Sequence, residues 1–279
     1  MLFKNRDWRN FKNSFTTNFN GTGTFVTVTG GFLGAVGYFV NNGLYLSLVG
    51  IALIIGSLIW TIYKSWPEIF LTLEDFKSHI IPIADLNGIR PIPFTVGLIG
   101  CSKSGKTTFL HKTTYIRNKL TRTNEIYANI VQLPSHLKPN GKLIIIDGDG
   151  KQFNQQFNIM GIVDILIIFF DHNESRDNVK LRKLRLKEHE YFIDQVISNL
   201  KHSKNLKHIH LVINKYDLWG NSVDREYIIK WSDEMLSNIQ KHCDIKVSIS
   251  HTHSNNVQDS IAETLEKISE IKGELYEEK

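Results

Sequence analysis

Cysteine is scarce. Cys101 and Cys243 are the only two in 279 residues, too few for a disulfide framework, so the fold must rest on buried apolar surface in a reducing compartment. Metal-ligand spacing is missing too. The eleven histidines include His208-Ile209-His210 and His251-Thr252-His253, but neither pair has a third ligand at a recognisable zinc spacing. No internal repeat or low-complexity tract is present. The formal charge of +5 is modest and suits the face of an anionic membrane; the basic run Lys180 to Lys187, with Arg182, Lys183 and Arg185, reads as a solvated helix face, so no nucleic-acid partner is expected.

Charge of either sign is absent from Leu44 to Tyr63, twenty residues whose appreciably polar members are Ser47, Ser57 and Thr61. At about 1.5 Å per residue such a helix reaches roughly 30 Å, the thickness of a bilayer core. A second uncharged stretch, Thr24 to Val40, contains Gly30, Gly31, Gly34 and Gly37. Lys4, Arg6, Arg9 and Lys12 precede it against the single acid Asp7, and basic flanks of this kind stay cytoplasmic. The domain after Tyr63 is placed on the same side by the ligand that its motifs, described below, imply; with both ends there, the expectation is an integral membrane protein with a two-helix transmembrane hairpin over 24–63. Asn41-Asn42-Gly43 would be its turn, and Gly30-x-x-x-Gly34 would allow close helix contact. The expected organisation is a basic segment 1–23, the hairpin, a juxtamembrane linker 64–92 and an α/β domain 93–279. Within the linker, Ile69, Phe70, Leu73, Phe76 and Ile80 recur at helical spacing, which predicts an amphipathic helix over Pro67 to Ile81.

Residues 100 to 107 read Gly100-Cys101-Ser102-Lys103-Ser104-Gly105-Lys106-Thr107, a complete G-x-x-x-x-G-K-[ST] phosphate loop after the apolar run Phe94 to Ile99. Backbone N–H groups of such a loop close around phosphates, and the following helix, with Thr108 in its first turn, adds a partial positive charge. Lys106 then neutralises phosphate charge and the Thr107 hydroxyl suits Mg²⁺. A second motif, Asn214-Lys215-Tyr216-Asp217, follows the apolar run Ile209 to Ile213. An aspartate at the carboxyl end of a strand can accept both the ring N–H and the exocyclic amine of guanine, a pair of donors that adenine does not present. Sites of this type reject the wrong analogue by about 10⁴-fold. The third motif is Asp147-Gly148-Asp149-Gly150 after Leu143 to Ile146. Asp147 can reach a magnesium ion through water, and the Gly150 N–H can meet a γ-phosphate. A calcium loop is excluded there, because its fifth position is Lys151 and its twelfth is Asn158.

In this order, over roughly residues 93 to 272, the motifs resemble the Ras-like small GTPases of the P-loop GTPase class. The resemblance implies GTP/GDP and Mg²⁺ as cofactors. It makes Lys106 and Thr107 the phosphate and metal residues, Asp147 the metal-associated aspartate, and Asn214, Lys215 and Asp217 the guanine clamp. The last motif of the family is similar to Ser250-His251-Thr252 after the strand Ile245 to Ile249. Its switch threonine falls at Thr121 or Thr123, with Thr123 nearer the position that family spacing suggests. The water-orienting glutamine of the family is replaced by Lys151, with Gln152 one place further on. Ser102 stands where glycine is common. These departures imply slow or partner-dependent hydrolysis, or a subunit that holds GTP without turning it over. The arrangement is similar to the signal recognition particle receptor β subunit, an anchored GTPase, although that family carries D-x-P-G where this chain has Asp147 to Gly150. A protein effector or receptor partner is implied, with the nucleotide site on the cytoplasmic face.

Apolar strands near 94–99, 143–146, 162–170, 209–213 and 245–249 alternate with the helical stretches Lys180 to Leu200, Asp224 to Lys241 and Val257 to Ile271. That alternation predicts a doubly wound, mainly parallel sheet with Ile126 to Leu133 as an antiparallel member.

Overall fold

The computed structural model describes residues 6, 8, 11–40, 44–67, 70–76, 80–114, 126–133, 141–148 and 151–277. The chain forms two compact units, Met1–Thr72 and Leu73–Lys279.

In the first unit, helix α1 (Phe11–Asn18) passes through a π-helical turn (Phe19–Gly23) into α2 (Thr24–Phe39), and α3 (Leu44–Ser65) returns alongside it. The two long helices run antiparallel, since Ser47 Oγ donates to Gly34 O at 3.2 Å while Thr27 Oγ1 meets Ser57 Oγ at 3.1 Å. Glycine is required where they touch: a Cβ on Gly50 would meet Gly30 O, and would lie 2.7 Å from Gly34 N. The outer surface is the reverse of the seam. Phe25, Ile51 and Ile59 are exposed there, with Phe32 at 68% and Trp60 at 59%. At the far end of α3, Trp8 packs edge-on against Trp66, Arg6 lies over the Trp66 ring and donates to Pro67 O, and Asn18 donates to Ser65 Oγ. Among the described residues one helix, Ser47–Ser65, is long and apolar enough to cross a membrane by length and composition; α2, at 16 residues, is shorter. The expected pair of spans thus finds a single helix of sufficient length.

The second unit is built on one seven-stranded sheet of β1 (Ile80–Pro82), β2 (Thr95–Ile99), β3 (Tyr127–Gln132), β4 (Lys142–Asp147), β5 (Ile165–Phe170), β6 (His208–Ile213) and β7 (Lys246–Ser250), in the order β1-β3-β4-β2-β5-β6-β7. Strands β4, β2, β5, β6 and β7 are parallel; β3 is antiparallel to β4 and to β1. The helices are α4 (Lys106–Thr113), α5 (Phe153–Met160), α6 (Lys183–Asn199), the single turn α7 (Tyr216–Trp219), α8 (Arg225–His242) and α9 (Gln258–Glu277). On one face Val96, Leu98, Ile145, Ile167 and Phe169 pack with Phe109 of α4 and with Ile261, Leu265 and Ile268 of α9. On the other, Gly97 faces Ile159 of α5, and the Phe170 ring meets His189 of α6 and Trp231 of α8. Burial on both faces is why the central strands read as unbroken apolar runs. The doubly wound expectation holds, and the carboxyl ends of β2, β4, β5 and β6 share one edge of the sheet.

The amphipathic helix expected over Pro67 to Ile81 does not form: described residues 70–76 are not helical, and Ile80 and Ile81 pair with Asn129 and Ala128 at the edge of the sheet. Pro82 biases Ile81 toward extended backbone, and pairing with β3 outweighs the helical spacing. Strand β1 and helix α5 are additions to the expected elements.

A polar ladder lies between β6 and β7. Ser248 Oγ is 2.8 Å from both His208 Nε2 and His210 Nδ1, and His210 Nε2 is 3.1 Å from Ser250 Oγ. Burial lowers His208 from 6.5 to about 4 and His210 to about 3, helped for His208 by Lys246 and for His210 by His208. Because the unfolded chain takes up these protons first, the stabilisation present above pH 6.5 drains away as pH falls through 6.5 toward 4 and 3. Buried His189 is shifted upward and acts in the opposite sense at higher pH. The urea midpoint is expected to fall steadily between pH 6.5 and pH 4; a constant or rising midpoint over that window would contradict the neutral ladder.

Candidate nucleotide site at the carboxyl edge of the sheet

The loop from Gly100 to Thr107 joins β2 to α4, the strand-loop-helix setting the motif needs. Its backbone turns through positive φ at Lys103 (68°) and Gly105 (107°), left-handed positions of the kind from which anion-binding backbone nests are built. At Gly105 a Cβ would strike the Asn214 side-chain amide and lie 2.5 Å from Asn255 Nδ2, so both the φ and the space demand glycine. Lys106, 5% exposed, curls over the loop and donates from Nζ to Gly100 O at 2.8 Å and Cys101 O at 3.1 Å. Burial lowers its pKa, and the Asp147 carboxylate opposes that shift. Thr107 Oγ1 donates to Asp147 Oδ2 at 2.7 Å, bringing together a hydroxyl and a carboxylate oxygen from the starts of α4 and the end of β4. Cys101 is buried against Glu188 O, Ser102 is half-buried, Ser104 is buried, and Lys103 and Thr108 are exposed.

Phe170 and Ile213 are paired at the ends of β5 and β6, so Asp171 and Asn214 emerge side by side. Buried Asn214 ties the two motifs together: its Nδ2 donates to Ser104 O at 2.8 Å, 110 residues away, while its Oδ1 accepts from Lys215 N and Asn255 N. Lys215 is left-handed at φ 66°. Both oxygens of Asp217 are held: Oδ1 accepts from Ser254 Oγ at 2.5 Å and Oδ2 from Asn256 Nδ2 at 2.9 Å. Between those two residues, Asn255 Nδ2 donates to Gly105 O at 2.8 Å, and Asn255 O accepts from Lys112 Nζ at 2.6 Å. Asn255 Oδ1 lies 3.0 Å from His253 Nε2, and His253 Nδ1 lies 2.7 Å from Thr264 Oγ1. Burial lowers the His253 pKa, and a neutral ring that donates from Nε2 and accepts at Nδ1 satisfies both contacts.

The structure therefore brings Lys106, Thr107, Asp147, Asn214, Lys215 and Asp217 to one edge. Ser250 and His251 lie at the carboxyl end of β7 on the same edge, Ser250 paired with Val212, but their side chains bond to other residues. Ser250 is the last residue of β7, bonded to His210, and His251 Nε2 faces Asp233 Oδ1 at 2.9 Å. The segment that meets Asp217 lies four residues later, because the chain continues past β7 before α9 begins. Gln152 is exposed at the start of α5, where its carbonyl accepts from Gln155 N and Gln156 N and its side chain does not cap the helix. Thr121, Thr123 and Gly150 lie outside the described residues.

Four side chains that sequence reasoning did not single out support the site. Gln156 Oε1 accepts from Gly100 N at 2.7 Å, and Asp171, Arg185 and His189 lie beneath the phosphate loop. Arg185, 3% exposed, departs from the solvated face expected over Lys180 to Lys187, of which Lys180, Arg182, Lys183 and Lys187 are exposed. Its signal is the inward stripe Arg185, His189, Phe192 and Val196 of α6.

No protein-family model and no curated protein matches the chain. Among solved structures, the bacterial selenocysteine-specific elongation factor EF-Sec is similar over 64% of this chain and 28% of its own, at 20% identity and a TM-score of 0.44. The mammalian SRP receptor is similar over 62% of this chain and 99% of that chain, at 16% identity and a TM-score of 0.47.

Gly105→Ala is expected to cost about 1–3 kcal/mol, the usual penalty for a non-glycine residue in such a conformation. Gly88→Ala, where an added Cβ meets nothing, should change stability little. Thermal unfolding of the two variants checks this, and equal melting temperatures would refute the strained-loop assignment.

Proposed function

We propose that the chain is a membrane-anchored GTP-binding protein of the Ras-like kind, a regulatory GTPase that alternates between GTP and GDP forms. The observation that carries this reading is the bond from Asn214 to Ser104 O, seconded by the one from Asn255 to Gly105 O. Together they join a phosphate loop and a carboxylate purine reader into one edge. Each Asp217 oxygen has one donor from Ser254 or Asn256 and retains lone-pair capacity for the two donors of guanine.

Thr107 and Asp147 contribute hard oxygen donors of the kind Mg²⁺ prefers, so the pair fits the ion that accompanies a nucleoside triphosphate. When bound, the ion supplies neutralisation of β- and γ-phosphate charge. Thr123 and Gly150 are the further contacts implied for the ion and the γ-phosphate. Lys106 stabilises phosphate charge, and Gln152 is the side chain available to orient water where Lys151 cannot. Hydrolysis is accordingly expected to be slow without a protein partner. A second reading, a docking or receptor subunit that holds GTP unhydrolysed, is favoured by the exposed placement of Gln152 and by Ser102 in the loop.

The inside-out hairpin supports anchoring. Its seam is made of glycine, serine and threonine, as in helices that associate within lipid, and its surface of phenylalanine, isoleucine and tryptophan finds a favourable solvent in hydrocarbon. In this reading both helices insert, and the α/β unit works on the cytoplasmic side, where GTP is found.

Nucleotide titrations test the site. Lys106→Ala is expected to weaken GTP and ATP alike, whereas Asp217→Asn should lower GTP affinity by at least about 100-fold and improve that for xanthosine triphosphate, whose C2 carbonyl can accept from the new amide. Retained guanine preference in Asp217→Asn would sink the base assignment. For the anchor, the full chain should stay with the membrane pellet after an alkaline carbonate wash, and its release into the supernatant would refute insertion.

A further inference from the structure

Asp171, directly after β5, is buried and accepts hydrogen bonds from Arg185 Nε at 2.7 Å and Lys215 Nζ at 2.6 Å, with His189 Nε2 2.8 Å from its Oδ1. Burial alone would raise the pKa of this carboxyl. The bond from His189 and the charges of His189, Arg185 and Lys215 hold it well below the usual carboxylate range.

Two arms leave this one carboxylate. Arg185 uses its whole fork, with Nη2 donating to Ser102 O of the phosphate loop at 2.8 Å and Nη1 to Glu188 Oε2 at 2.8 Å. A lysine could not hold Asp171, Ser102 and Glu188 in one plane. The other arm is Lys215 of the purine-reading loop, whose Nζ also donates to Asn173 O and to Ser175 O. Stability alone would be served as well by apolar packing, because desolvating charges offsets much of their attraction. What the charged hub adds is a shared partner for the two loops that receive opposite ends of a nucleotide. The arms hold different oxygens of one rigid carboxyl group, Arg185 at Oδ1 and Lys215 at Oδ2, so a rotation that follows the loss of one contact disturbs the other.

Resting on the guanine-nucleotide reading, we propose that Asp171 and Arg185 are positioning residues that couple base recognition by the Asn214 to Asp217 loop to the conformation of the phosphate loop at Ser102. A double-mutant cycle on the full chain in detergent tests it, with the affinity for GDP and Mg²⁺ measured by calorimetry. Lys215→Ala and Arg185→Gln should each weaken binding, and the double variant should weaken it by at least about fivefold less than the product of the two. Arg185→Gln combined with Asn256→Ala, which acts through Asp217 and not Asp171, should give the simple product. Arg185→Lys keeps the charge without the fork and should behave like Arg185→Gln; it also serves in the cycle if Arg185→Gln does not fold. Simple products in both cycles, or full rescue by Arg185→Lys, overturn the coupling. Wild-type protein that takes up no guanine nucleotide overturns the underlying reading, a result distinct from additivity in a protein that binds.

Discussion

The hydrogen bond from the Asn214 amide to the Ser104 carbonyl is the constraint on which the site depends. It spans 110 residues and joins loops that leave β2 and β6, two strands separated in the sheet by β5. Parallel pairing sets their carboxyl ends level, and the bond then locks them laterally. With Asn214 fixed, its carbonyl accepts from the Trp219 indole, its Oδ1 receives Asn255 N, and Asn255 in turn holds Gly105 O. Asp217 is left at the rim with both oxygens oriented. The site is thus preorganised by neutral amide contacts above and by a charged hub beneath.

The two units solve the problem of polar backbone and side chains in opposite ways. In the α/β unit, polar groups gather at the edge of the sheet while isoleucine, leucine and phenylalanine fill both faces. In the helical unit the small and hydroxylated residues are inside, where Thr61 and Ser57 return hydrogen bonds to the backbone of α3, and the large apolar residues are outside. In the proposed membrane-anchored reading that inversion suits lipid as solvent, because hydrocarbon gives no reason to hide a leucine and a strong reason to hide a hydroxyl.

Much of this was legible beforehand for identifiable reasons. The phosphate loop carries all its determinants in eight contiguous residues, and strands buried on both faces announce themselves as apolar runs. Asp147 and Asn214 can be placed at the edge of the sheet because each directly follows such a run. The failures have equally local causes. The contacts of Ser254 and Asn256 with Asp217 are not legible in the sequence, because periodicity does not report how far a loop travels after its strand ends. Arg185 was hidden among lysines and arginines, whose average behaviour is solvation, and only its place on the inward stripe of α6 separates it from them. Strand β1 is three residues long, too short to outweigh a helical pattern that runs across it, and its partner β3 lies some fifty residues away in sequence.

The most direct test of the central claim is calorimetric titration of GTP with Mg²⁺ into the full chain in detergent, with ATP as competitor. The account predicts one nucleotide bound per chain and no displacement by a large excess of ATP. Absence of binding, or equal competition by ATP, would contradict it.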